Sequence, residues 1–133
     1  MQDDAQVAVE AESDIVAARQ RVRAMAAAQG FSSTDQTLIA LAVSEIARNI
    51  LSYATRGLIT LGEIDDGGRI GILVVAHDDG PGIEDIGLAM RDGYSTARSL
   101  GMGLPGAKRV MDEFEIESAP GRGTTIRMKK WLP

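Results

Sequence analysis

The chain contains no cysteine, which excludes disulfides, thiolate nucleophiles and thiolate metal sites. Its single histidine, His77, is too little for a zinc centre built on imidazoles. Aromatic residues make up only 4%, so recognition of bases on a platform of exposed rings is not expected. Positive charge is also short: 14 Lys and Arg stand against 19 Asp and Glu, a formal net charge of -5. That balance argues against nucleic acid or an anionic membrane as the main partner. No apolar run approaches the roughly 20 residues of a membrane span, and Met1-Gln2-Asp3-Asp4 is acidic where a secretory leader would be basic. A cytoplasmic location is the expectation.

What is present is an ordinary globular balance, 44% hydrophobic and 25% charged over 133 residues, enough for one core. No repeat, low-complexity tract or linker divides it, so residues 1–133 read as one domain. Residues 6–11 alternate polar and apolar as a short strand. Ser13-Asp14 then reads as a cap, followed by Ile15, Ala18, Val22 and Ala26 at helical spacing, with Gly30 placed to end the helix. Ser33-Thr34-Asp35 opens a longer helix to about Ala54, with an apolar stripe of Ile39, Ala42, Val43, Ile46, Ile50 and Tyr53. Residues 58–64 and 69–76 read as a hairpin around Asp65-Asp66-Gly67-Gly68, the second strand nearly all apolar and therefore central. A short helix at 84–91, a helix at 107–113 and strands at 114–118 and Thr124–Trp131 complete the pattern. The fold class is α+β, helices packed on one face of a mixed, mostly antiparallel sheet.

Three polar stretches stand out. Glu45 and Asn49 lie four residues apart, hence on one side of a helix, beside the apolar stripe and facing a cleft at the edge of the core. Asp78 ends the central strand and is followed by Gly80 and Gly82, an acceptor for an exocyclic amine with no Cβ in the way. Gly101-Met102-Gly103-Leu104-Pro105-Gly106 opens a helix, offering bare N–H groups and a positive dipole end to phosphate. Between them, residues 94–99 read as a lid, with Thr96, Arg98 and Ser99 as phosphate contacts. In that order the stretches spell an ATP site: Asn49 as a hard oxygen ligand for Mg²⁺, Glu45 as the base or orienter of the attacking hydroxyl.

Each stretch has a plainer reading when taken alone. Glu45 and Arg48 also suit a helix surface with Asn49 a mere blemish in the helix, Asp78-Asp79-Gly80 a turn, and residues 94–99 a loop without contacts. The acidic residues after His77 lack the alternation of a calcium loop. The glycine cluster matches a dinucleotide fingerprint only in letters, because no first strand precedes it. His77 is given no role.

Together the motifs resemble those of the GHKL ATPases. Glu45-x-x-Arg48-Asn49 is similar to their N box, Asp78-x-Gly80-x-Gly82 to the G1 box, Gly101-x-Gly103-Leu104 to the G2 box, and Gly121-x-Gly123-Thr124-Thr125 to the final glycine-threonine motif. Within that group the chain resembles the small anti-sigma-factor serine/threonine kinases, in particular stressosome switch kinases, also at Asp92-Gly93-Tyr94-Ser95-Thr96 and Met111-Asp112-Glu113-Phe114. The resemblance implies the Bergerat ATP-binding fold and transfer of the γ-phosphoryl of ATP to Ser or Thr of a STAS-domain partner. It implies a second role, binding and activating a PP2C-like phosphatase after release. Carried over, Asp78 contacts adenine, Asn49 the magnesium and Glu45 is the catalytic carboxylate. Gly80, Gly82, Gly101, Gly103 and Leu104 shape the nucleotide site, and Thr124 supports its adenine end. Ala97-Arg98 departs from the small residues often found in such lids. Within the chain no helix bears a phospho-acceptor histidine and no transducer domain follows the site, so a kinase acting in trans is expected. The alternative is an ATP-dependent anti-sigma factor that works mainly by binding a sigma factor.

Overall fold

The computed structural model describes residues 5–82, 90 and 103–133. In chain order these form β1 (Ala5–Val9), α1 (Glu12–Gln29), α2 (Ser33–Tyr53), β2 (Gly57–Asp66), β3 (Arg69–Asp78), α3 (Gly103–Val110), β4 (Glu113–Ser118) and β5 (Thr124–Trp131). The strands make one sheet in the order β1-β2-β3-β5-β4, so β3 is central, as its apolar run requires. Each neighbouring pair is antiparallel. The sheet expected to be mixed therefore has no parallel pair among the described residues. The reason is the order of return: the chain reaches β4 first, at the sheet edge, and its hairpin partner β5 then inserts beside β3 in the opposite sense.

Local signals place most element ends. Asp66 pairs with Arg69, leaving Gly67 and Gly68 as a two-residue turn at φ +63° and +93°, the positive pair that matches strand twist. Gly30 ends α1 at φ +98°. The cap of α1 differs from expectation. Ala11 is the N-cap, and Asp14 works from inside the first turn, its Oδ2 accepting the Glu10 and Ala11 N–H groups at 2.9 and 3.0 Å. The cap of α2 is Ser32, whose side chain accepts the Asp35 N–H at 3.1 Å. The helix expected at 107–113 starts earlier and stops at Val110. Asp112 is drawn out of it by β5: its N–H donates to the Lys129 carbonyl at 2.9 Å and its Oδ2 accepts the Trp131 N–H at 2.7 Å. The short helix expected at 84–91 falls almost wholly outside the described residues.

The helices cover one face of the sheet. Ile59, Leu61, Ile72, Val74, Ala76, Ile126 and Met128 form one core with Ile15, Ala18 and Val22 of α1 and Ile39, Val43, Ile46 and Ile50 of α2. Period-2 alternation carries the same face one step further, to Asp78 at the end of β3 and Thr124 at the start of β5. Two polar side chains thereby continue apolar rows. No helix among the described residues is long and apolar enough to cross a membrane.

Candidate functional site

The site is built where these rows run out. On α2, Ser44, Glu45 and Asn49 are 5%, 6% and 9% exposed, deeper than the cleft edge expected for them. Ser44 satisfies its hydroxyl inside the helix, donating to the Ala40 carbonyl at 2.9 Å. Glu45 does not stay within its helix: its Oε1 accepts the backbone N–H of Gly103, the first residue of α3, at 3.1 Å. A buried carboxylate needs such a partner, and a helix N-terminus supplies one with a favourable dipole. Arg48 leaves the site and lies 3.6 Å from Glu12 on α1. Leu104 and Ala107 are buried in the common core, which fastens α3 against α2.

Asp78 is 4% exposed and pairs in register with Thr124. Its Oδ1 accepts the Gly80 N–H at 2.9 Å. Burial pushes its carboxyl above the ordinary carboxylate value, opposed by the Gly80 N–H, nearby His77 and the Thr124 N–H. Thr124 is held in turn by Ser118, whose Oγ lies 2.8 Å from Thr124 Oγ1 and 3.0 Å from the Gly123 carbonyl oxygen it donates to. Ser118 was not singled out from the sequence. The available signal was its place on the inward row of β4 after Phe114 and Ile116.

The glycines after Asp78 are explained first by the protein's own packing. A Cβ on Gly80 would sit 2.7 Å from the Ala54 Cα at the end of α2. Gly82 has φ +82°, and its missing Cβ faces the Ala119 carbonyl in the β4–β5 connection. There the Gly121 N–H donates to the Pro81 carbonyl at 2.7 Å, closing the loop down. Gly57 lies between Ile50 of α2 and Asp78 of β3, so the Asp78 end of the sheet abuts the last turns of the helix that carries Glu45 and Asn49. The structure thus brings Asp78, Gly80, Gly82 and Thr124 together at one end of the sheet against the end of α2. It joins Glu45 on that helix to Gly103, with Leu104 and Asn49 buried nearby on α3 and α2. Thr96, Arg98, Ser99 and Gly101 lie outside the described residues. His77 braces the neighbourhood, with Nδ1 2.8 Å from Thr125 Oγ1 and Nε2 3.0 Å from Asp79 Oδ1.

A five-stranded antiparallel sheet with helices on one face is the α+β architecture of a GHKL-like ATPase domain. The model of the histidine kinase-like ATPase domain matches residues 7–130, and the chain belongs to that family. It is 49% identical over 132 residues, 99% of each chain, to the serine/threonine-protein kinase RsbT of Bacillus subtilis (strain 168). It is also similar to the anti-sigma F factor of Thermoanaerobacter sp. (strain X514), 39% identical over 100 residues, 71% of this chain and 68% of that protein. The anti-sigma F factor of Clostridium kluyveri (strain NBRC 12016) is 37% identical over 109 residues, 74% of this chain and 76% of that protein.

Proposed function

We propose that this chain is a cytoplasmic serine/threonine protein kinase, one ATP-binding domain over residues 1–133, acting on a STAS-domain protein of a partner-switching stress module. What carries the reading is the buried Glu45 carboxylate held at the N-terminus of α3, a helix end suited to phosphate. The full-length likeness to a serine/threonine-protein kinase supports a protein hydroxyl as acceptor.

In the proposed reaction the acceptor oxygen attacks the γ-phosphorus, the bond to the β-phosphate oxygen breaks, and ADP leaves. Glu45 orients the hydroxyl and takes its proton. Asp78, supported by Thr124, accepts the exocyclic amine of adenine. Thr96, Arg98, Ser99 and Gly101 are proposed phosphate contacts. Asn49 is the proposed Mg²⁺ ligand; the ion would neutralise phosphate charge. No group of three or more His, Cys, Asp or Glu among the described residues could hold a metal. Mg²⁺ at a nucleotide binds through one or two protein ligands together with substrate phosphates and water. After release from its substrate the kinase binds and activates a PP2C-like phosphatase, the second role in this proposal.

The test is intact-mass spectrometry of the STAS-domain protein encoded nearest this gene, after incubation with the chain and Mg·ATP. Gain of one phosphoryl group, lost with Asp78→Asn, supports the kinase. No gain despite measurable ATP binding favours the second reading, an ATP-dependent anti-sigma factor. That reading rests on the likeness to anti-sigma F factors over 71% and 74% of the chain.

A further inference from the structure

We infer that Gly103 is a positioning residue for Glu45, so that the phosphate-facing helix and the catalytic carboxylate are joined by a direct contact. The inference rests on the proposed role of Glu45. Gly103 reads from the sequence as a glycine that makes room for nucleotide. In the structure its backbone N–H donates to Glu45 Oε1 at 3.1 Å across 58 residues of chain. Glu45 is 6% exposed, and this charge-assisted bond orients one carboxylate oxygen within a buried setting.

Two further features make the contact specific. Gly103 has φ +68°, a left-handed backbone that side-chain-bearing residues adopt only with strain. The N–H that reaches Glu45 is thus aimed by a conformation that glycine supplies. The next residues, Leu104, Pro105, Gly106 and Ala107, are all buried, so α3 cannot shift to restore a lost contact without unpacking. A helix end fixed in this way holds the carboxylate beside the place where the phosphate chain would lie. Glu45 is oriented for the acceptor hydroxyl before that hydroxyl arrives.

The consequence separates two roles for the same glycine. If Gly103 only makes room, Gly103→Ala raises the Kd for ATP and leaves the transfer rate at saturation unchanged. If it positions Glu45, Gly103→Ala lowers that rate at least tenfold and changes the Kd by less than about threefold. The rate is read as phosphoryl transfer to the STAS-domain protein encoded nearest this gene, the Kd by titration calorimetry with Mg·ATP. Amide hydrogen exchange of Gly103, followed by NMR in the nucleotide-free protein, tests the contact without catalysis or a folded glycine variant. Exchange should quicken about tenfold in Glu45→Ala and stay slow in Glu45→Gln, which keeps an acceptor oxygen. Equal exchange in all three proteins, or a raised Kd with an unchanged rate in Gly103→Ala, overturns the inference. Full transfer by Glu45→Gln would instead remove the base assignment beneath it, and the exchange data would still report whether the contact exists.

Discussion

Asp78 and Thr124 face each other at the last rung of the β3–β5 pairing, 4% and 5% exposed, where each continues an otherwise apolar row. The Gly80 N–H bonds the Asp78 carboxylate at 2.9 Å, yet burial still raises its pKa. A polar pair buried at the rim of a core, with its acid held ready to accept, is a costly arrangement that a ligand can use.

Asp78→Asn should weaken ATP binding by about 10–100-fold, the loss of a charge-assisted bond worth roughly 1.5–3 kcal/mol. Titration calorimetry measures it. An unchanged Kd would remove Asp78 from the adenine contact.

The same substitution carries a pH signature. The raised pKa means the folded protein holds the Asp78 proton more tightly than the unfolded chain does. Charging Asp78 therefore costs stability progressively as pH rises from the ordinary carboxylate value through the raised one, and the cost is complete above it. Asn cannot ionise. Thermal melts of Asp78→Asn minus those of the parent should shift in favour of the variant across that window and stay level beyond it. A difference independent of pH would refute this account.

Asn49→Ala should abolish the magnesium dependence of nucleotide binding, because the side-chain carbonyl is the proposed hard ligand. The measurement is ATP titration with and without Mg²⁺. A magnesium effect as large as in the parent chain would exclude the assignment.

Glu45→Ala should leave the ATP Kd within a few-fold and slow phosphoryl transfer by roughly 10²–10⁴, the usual effect of removing a general base. Single-turnover transfer reads the rate. A Kd that rises as steeply as the rate falls would make Glu45 a nucleotide-binding residue instead.

Gly82→Ala and Gly67→Ala form a matched pair. Both positions have positive φ, but only Gly82 faces a neighbour, the Ala119 carbonyl, while Gly67 has nothing within 4 Å. Gly67→Ala should cost about 1–2 kcal/mol and Gly82→Ala about 2–4 kcal/mol, since overpacking adds to backbone strain. Urea unfolding of the two variants gives the comparison. Equal losses would show that the Gly82 loop yields.

Much of this was legible in the chain. The central strand announced itself because its run from Ile70 to Ala76 carries no polar side chain, although only one face is covered by helices and Leu73 and Val75 stay half-buried. The hairpin at Gly67-Gly68 needed only the turn chemistry. Glu45 and Asn49 were found together because helical spacing fixes which residues share a side. The cap of α1 was not legible, since Asp14 acts from the third helical position on N–H groups that precede the helix. The end of α3 was misplaced because the bonds that draw Asp112 away come from β5, with partners 17 and 19 residues further along.

The sequence by itself determined which residues could do chemistry and on which kind of element each stands. Periodicity and turn preference are local, so they survive without a fold. Only the tertiary structure decided what those residues touch. It placed the Glu45 carboxylate on the Gly103 N–H, the Asp78 carboxylate opposite Thr124, and the Ala119 carbonyl where Gly82 has no side chain. Each of these contacts joins segments 37 to 58 positions apart, as for Gly82 with Ala119 and Glu45 with Gly103. No local pattern encodes such a distance; the packing of α3 on α2 and of β5 on β3 does.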